Sequence, residues 1–236
     1  MALYHVMNRG VDKRTIFLND RDRLRFACGL YAFNTTRPTE IFSPQFEWSK
    51  RFQEAQREQK TGKPAKGFRK PLSGERQLVD IHGWCLMGNH YHLLLSEREE
   101  GGLVRFIRKI NVGYANYFNA KQERKGALFQ GRTKKVLVEQ ESHFLYILHY
   151  IHLNPLDFCK GSELWREGRI GSAARARDHL EKYRWSSYLD YCGQRNFPSV
   201  IEAGLFRSVF PDYKKEIASY LSDIELSPIE YLIAEE

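Results

Sequence analysis

Apolar positions along the chain follow two periods, and each stretch of either period marks an element. Residues 2–9, "ALYHVMNR", read as a strand closed by Gly10. From Asp20 to Phe33 the apolar positions recur at helical spacing, with Asp20 as the expected cap. Periodicity then lapses over 34–76, where Pro38, Pro44, Pro64 and Pro71 collect. That segment reads as an insertion carrying a short helix around 46–59 and a flexible basic tip. Residues 76–87 read as a strand, Gly88-Asn89 as a tight turn or bulge, and "HYHLLLS" as the paired strand. A helix is expected from about Leu103 to Ala120, with Leu103, Phe106, Ile107, Ile110, Tyr114, Tyr117 and Phe118 as its apolar stripe. A further strand is expected over 126–139. A second long helix should span 141–154, with Ser142 as N-cap and Pro155 just beyond its end. This order predicts an α+β fold, an antiparallel sheet with helices packed on one face. Residues 1–158 would form the core, and 159–236 a helical or irregular extension that completes or decorates it.

Within "CLMGNHYHLLL" (Cys85 to Leu95) the pattern carries an anomaly. His90 and His92 sit at i and i+2 of an apolar strand, so their imidazoles project from one face. Buried histidines are usually solitary; two neutral imidazoles on one face can clamp a divalent ion. On the helix 141–154, Tyr146, Tyr150 and Asn154 lie at i, i+4 and i+8 and share a face. An asparagine just before Pro155 is an unusual choice for a core face. Its carbonyl oxygen can complete a site begun by the two histidines. One hard oxygen, two imidazoles and positions left for phosphate oxygens suit Mg²⁺ or Mn²⁺. A tyrosine one turn earlier lies close to a phosphate held there, and a phenolate can attack phosphorus.

Charge narrows the partner. The 236 residues carry a formal charge of +8. Residues 50–76 hold nine Lys/Arg against three Asp/Glu, a net of +6. Basic residues also flank the candidate site, at Arg9, Arg132, Lys134 and Lys135. That distribution favours a polyanion, above all nucleic acid, and makes these four candidates for phosphate contacts. At 42% hydrophobic and 14% aromatic the chain can bury a sizeable core. No run approaches the ~20 apolar residues of a membrane span. "MALYHVMNRG" lacks the pattern of a secretory signal, and Cys28, Cys85, Cys159 and Cys192 are scattered without CxxC spacing. Both fit a cytoplasmic protein with single thiols.

The stretches "YHVMNRGVDKRTIF", "CLMGNHYHLLL", "GALFQGR", "YILHYIHLNP" and "YRWSSYLDY", across about residues 2–33, 77–158 and 182–191, together resemble the REP-associated tyrosine transposases. These belong to the HUH (His-hydrophobic-His) single-strand endonucleases with one catalytic tyrosine. The resemblance implies a ferredoxin-like core, with His90 and His92 as the HUH pair, Tyr150 as nucleophile and Asn154 as third metal ligand. It also implies cutting of single-stranded DNA folded into palindromic hairpins, through a 5′-phosphotyrosine and a free 3′-OH. The segments 34–76 and 160–182 look longer than the family's usual connections, and the tail 197–236 carries no legible motif. Monomer and homodimer remain equally open.

Two other readings compete. His82, Cys85, His90 and His92 have spacing that superficially resembles a zinc finger. His82 and Cys85 differ by an odd number, however, which on a regular strand sends them to opposite faces. A domesticated nucleic-acid-binding protein that recognises hairpins with little or no cleavage would keep the basic surface and need no nucleophile. Of the remaining candidates, His5 reads as a satisfied core histidine near the site. His149 and His152 read as packing groups on other helix faces. Trp185 reads as either a base-stacking platform or core packing, and the latter is at least as well supported.

Overall fold

The computed structural model describes residues 2–36 and 76–223. The expected insertion helix at 46–59 and most of the basic segment lie outside the described residues. Strands β1 (Leu3–Arg9), β2 (Val79–Leu86), β3 (His90–Glu97) and β4 (Lys134–Leu137) form one antiparallel sheet in the order β2-β3-β1-β4. Helix α1 (Asp20–Ala32) joins β1 to β2, and α2 (Gly102–Lys121) joins β3 to β4. This is the ferredoxin-like βαββαβ order, and both helices lie on one sheet face as expected. There Val6, Tyr91, Leu93 and Leu95 of the strands pack with Phe26 and Leu30 of α1. Every buried member of that core contributed by α2, from Leu103 to Phe118, belongs to the apolar stripe read from sequence.

The other face is covered too. Helix α3 (Glu141–Leu153) lies across β2 and β3, where Leu3, Cys85 and Leu94 meet Ile147, Leu148 and Ile151. A Cβ on Gly83 would come within 2.9 Å of Leu148 Cδ1, so the glycine lets α3 approach the sheet closely. With both faces covered, β3 is buried along nearly its whole length and shows no solvent-facing side, as a doubly covered strand must.

Three local expectations change. Asn19, not Asp20, caps α1: its side chain accepts from Arg21 N and Asp22 N at 3.1 and 3.2 Å. Helix α3 has Gln140 at its cap with no side-chain bond, and Ser142 sits inside the first turn. The strand expected over 126–139 contracts to Lys134–Leu137, because residues before Lys134 leave β1 after a single bridge, Gly10 with Phe129. The tail also folds back on the core. Helices α4 (Ala173–Lys182), α5 (Tyr188–Tyr191), α6 (Gly204–Val209) and α7 (Tyr213–Ser222) follow, and Phe206, Tyr213, Ile217 and Leu221 join the α3 side of the core.

The segment between α4 and α5 covers the β2 edge. Leu86 N donates to Trp185 O at 2.9 Å and Ser187 N donates to Trp84 O at 3.0 Å. Trp185 is thereby buried, with Nε1 donating to Asp20 Oδ1 at 3.1 Å, which makes it packing and not a base platform. All four cysteines are free thiols. Among the described residues no helix is long and apolar enough to cross a membrane.

Candidate active site

The register of β3 sets the site. Side chains alternate along the strand, so Tyr91, Leu93 and Leu95 enter the α1–α2 core while His90, His92 and Leu94 face α3. The β2–β3 hairpin turns tightly, with Met87 N donating to His90 O at 2.9 Å. Its tip is tied down by Gly10 N donating to Asn89 O at 2.8 Å and Ile16 N donating to Gly88 O at 3.0 Å. His90 therefore stands on a rigid corner, with its ring centroid 4.9 Å from that of His92.

Hydrogen bonding leaves the distal nitrogen of each ring unused. Asn89 Nδ2 donates to Lys13 O at 3.1 Å, which turns its Oδ1 toward His90. That oxygen can only accept, so His90 Nδ1 carries the hydrogen across the 2.6 Å contact and Nε2 is a bare lone pair. His92 Nδ1 lies 3.0 Å from His5 Nε2. Among the described residues neither His90 Nε2 nor His92 Nε2 has a hydrogen-bond partner, although both are buried. Burial pushes His90 down to about 4, with Arg9 adding to the effect. Burial also holds His92 well below the usual range, with His90 and His5 contributing. Both rings are neutral at pH 7, which is the ligating form.

Tyr150 faces this pair. Its ring lies edge-on to His92 and to His5, each with centroids 5.8 Å apart. Asn154, one turn later, is fully buried: its Nδ2 donates to Tyr150 O at 2.8 Å and closes the end of α3. Its Oδ1 accepts from Arg166 Nη2 at 2.6 Å. Arg166 comes from a 3-10 turn, Trp165–Glu167, in the stretch 160–182 that reads as longer than the family's usual connections. Its other terminal nitrogen donates to Asp157 at 2.5 Å, and its Cζ stands 5.8 Å from the Tyr150 ring centre. Trp165 completes the cover, 5.8 Å from Tyr150. Helical spacing foretold Asn154 and Tyr150 together; no local signal marked Arg166 or Trp165.

The remaining candidates separate cleanly. Tyr146 turns to Tyr220 and His149, away from the histidine pair. His149 and His152 are packing groups: the first meets Glu216 at 3.4 Å, the second bonds Tyr213 Oη at 2.9 Å and Ser187 Oγ at 2.7 Å. The zinc arrangement does not form. A bulge at His82, where Ile81 opposes Leu95 and Gly83 opposes Leu94, breaks the alternation, so sequence parity does not decide its face. His82 is nonetheless committed elsewhere, with Nε2 on Ser96 Oγ at 2.8 Å and Nδ1 on Glu202 O at 3.1 Å. Arg9 opposes His90 and Lys134 opposes Met7, which puts both on the site face. Lys135 opposes Val6 and projects from the other face, and Arg132 is exposed just before β4.

These buried imidazoles imply an acid-sensitive fold. Burial lowers His82, His90, His92 and His152, whereas each would titrate near 6.5 in the unfolded chain. Below about 6.5 the unfolded state binds more protons, so stability falls as pH falls, for His90 down to about 4. Asp190 works the other way: burial raises it from 3.8 to about 6, so across that window the folded state binds the extra proton. Four imidazoles outweigh one carboxyl, and the urea midpoint should drop between about pH 7.5 and 5.5. A flat or rising midpoint would mean these rings are already charged in the fold.

No family model matches the chain, and no curated protein matches it. Among solved structures it is similar to a REP-associated tyrosine transposase bound to a REP hairpin, with 13% identity, 85% of each chain covered and a TM-score of 0.38.

Proposed function

We propose that this protein is a metal-dependent single-strand DNA endonuclease and strand transferase, acting on DNA folded into palindromic hairpins. The observation that carries the reading is the pair of buried, partnerless Nε2 atoms on His90 and His92 beside the Tyr150 ring. An orphaned buried polar atom is costly, and two in adjacent neutral imidazoles fit a divalent cation. Among the described residues no group of three His, Cys, Asp or Glu is placed to hold a metal. The remaining positions would fall to oxygen: water, the phosphate itself and the Asn154 carbonyl, once Arg166 has released it. Mg²⁺ or Mn²⁺ suits that mixed set, and two imidazoles favour Mn²⁺ of the two. Such an ion supplies Lewis-acid polarisation of the phosphate and offsets charge as the phosphorus is attacked.

The chain's own residues do the rest. Tyr150 Oη bonds to phosphorus and gives up its proton, while the bond to the 3′-oxygen breaks and that oxygen takes one up. This leaves a 5′-phosphotyrosine and a free 3′-OH able to reverse the step. Tyr150 is only 3% exposed, so Trp165 and Arg166 must shift before DNA reaches its hydroxyl. Arg9 and Lys134 line the face the DNA approaches. The test is incubation with single-stranded palindromic DNA from the flanks of its own gene, with Mg²⁺ or Mn²⁺. Site-specific cleavage is expected, and none in the presence of EDTA. Binding without cleavage under all conditions would overturn the enzyme reading.

Strand facing makes a second test. Lys134→Ala should weaken DNA binding and reduce the salt slope by about 0.7, the contribution of one single-strand phosphate contact. Lys135→Ala, on the opposite face, should leave both near wild type. Equal losses from the two variants would place the DNA path elsewhere.

A further inference from the structure

We infer that His5 is a positioning residue for the candidate metal centre, accepting a hydrogen bond from His92 Nδ1 and so holding His92 Nε2 bare and aimed. The inference rests on the metal reading of the His90–His92 pair. His5 lies on β1, opposite Leu94 and one side-chain step along the same face from Met7, which opposes His92. Its ring lies edge to edge with that of His92, centroids 5.2 Å apart and planes 13° from parallel, and its Nε2 lies 3.0 Å from His92 Nδ1. That contact addresses the nitrogen opposite the open one, so His5 braces the ring and is not itself a third ligand.

Only one proton must be placed in the His5–His92 contact, and burial decides where. If His5 Nε2 carried it, His92 would hold its own hydrogen on Nε2, a buried donor with no acceptor. If His92 Nδ1 carries it, His92 Nε2 is a lone pair available to a cation. Metal-bound histidines almost always donate their second ring N–H to a fixed acceptor, which sets the tautomer and raises ligand basicity. His90 does so through Asn89 Oδ1. His5 supplies the matching acceptor for His92, and it does so from a neighbouring strand, where the sheet fixes its place.

The experiment is Mn²⁺ titration of the full chain by calorimetry, without DNA, on wild type, His5→Leu, His5→Gln and His92→Ala. Removing such an outer partner typically costs 10–100-fold in metal affinity, so His5→Leu should bind Mn²⁺ about 10–100-fold more weakly. Glutamine places an oxygen acceptor near the Nε2 position and should stay within roughly threefold of wild type. Unchanged affinity in His5→Leu, with binding lost in His92→Ala, overturns the role of His5 and leaves the metal reading standing. Equal weakening by leucine and glutamine reduces His5 to packing and also overturns it. No Mn²⁺ binding by wild type, or binding indifferent to His92→Ala, removes the metal reading and the inference together. Should His5→Leu fail to fold, ¹⁵N spectra of the wild-type imidazoles decide: a protonated His92 Nδ1 is expected, and a protonated Nε2 overturns the inference.

Discussion

Tyr150→Phe should fold, bind DNA with wild-type affinity and form no covalent adduct with it. The substitution removes one oxygen and keeps the ring. Every contact described for Tyr150 is a ring or backbone contact: the edges of His5 and His92, the Trp165 ring, the Arg166 guanidinium, and the carbonyl that caps Asn154. Phenylalanine can keep all of these, so a loss of activity with urea midpoint and DNA affinity intact reports on the chemistry of the hydroxyl. Removing the nucleophile of a covalent mechanism leaves only binding and electrostatic effects, so cleavage should fall by more than about a thousandfold. Wild type should yield a protein–DNA adduct that survives boiling in detergent, joined to the 5′ end of the downstream fragment. Tyr146→Phe is the matched control. Tyr146 precedes Tyr150 by one turn but packs on Tyr220 and His149, so that variant should cleave normally. Cleavage surviving in Tyr150→Phe, or an adduct mapped to Tyr146, would overturn the assignment, and a 3′-linked adduct would contradict the proposed chemistry as a whole.

The contrast between those two tyrosines shows where sequence periodicity stops informing. Spacing of i and i+4 put them on one helical face, yet a helix face is wide enough to touch two different neighbours. Which neighbour each meets depends on α7, more than sixty residues along the chain, and on the turn that carries Trp165 and Arg166. The alternation of β3 needed no such help, because a strand between two others has its faces fixed by register alone. It brought His90 and His92 together directly. His82 shows the opposite case: one inserted residue at a bulge removes the parity rule that spacing relied on. His5 was legible as a core histidine of the first strand near the site, but not in its role. Its significance comes from β1 pairing beside β3, a contact across eighty-seven positions that no local pattern records. Arg166 has the same origin, since its partners Asn154 and Asp157 are fixed by the turn that ends α3.

The two histidines should fail differently when removed, although both removals should stop cleavage. His90 is at the hairpin corner, slightly exposed, and its only described side-chain hydrogen bond is to the adjacent Asn89. His90→Ala therefore takes away a ligand and little else. His92 is fully buried between His5 and Tyr150, and its loss opens a cavity and strands His5 Nε2 without its described bond. Large-to-small changes in a core and a newly unsatisfied polar group each cost on the order of a few kcal/mol. His92→Ala should thus lower stability by roughly 2–4 kcal/mol, against about 1 kcal/mol or less for His90→Ala. Cleavage should drop below about 1% of wild type in both, since neither leaves two imidazoles for the cation. DNA affinity should stay within a few-fold for His90→Ala, because phosphate contacts and not the metal supply most of it. Urea melts, DNA-binding isotherms and Mn²⁺-dependent cleavage measured on the same preparations separate the three quantities. If His90→Ala cleaves like wild type, the partnerless nitrogens belong to a structural oddity and not to a metal centre. If it instead loses DNA binding along with cleavage, the histidine pair holds the strand directly, and the division of labour between basic surface and metal is wrong.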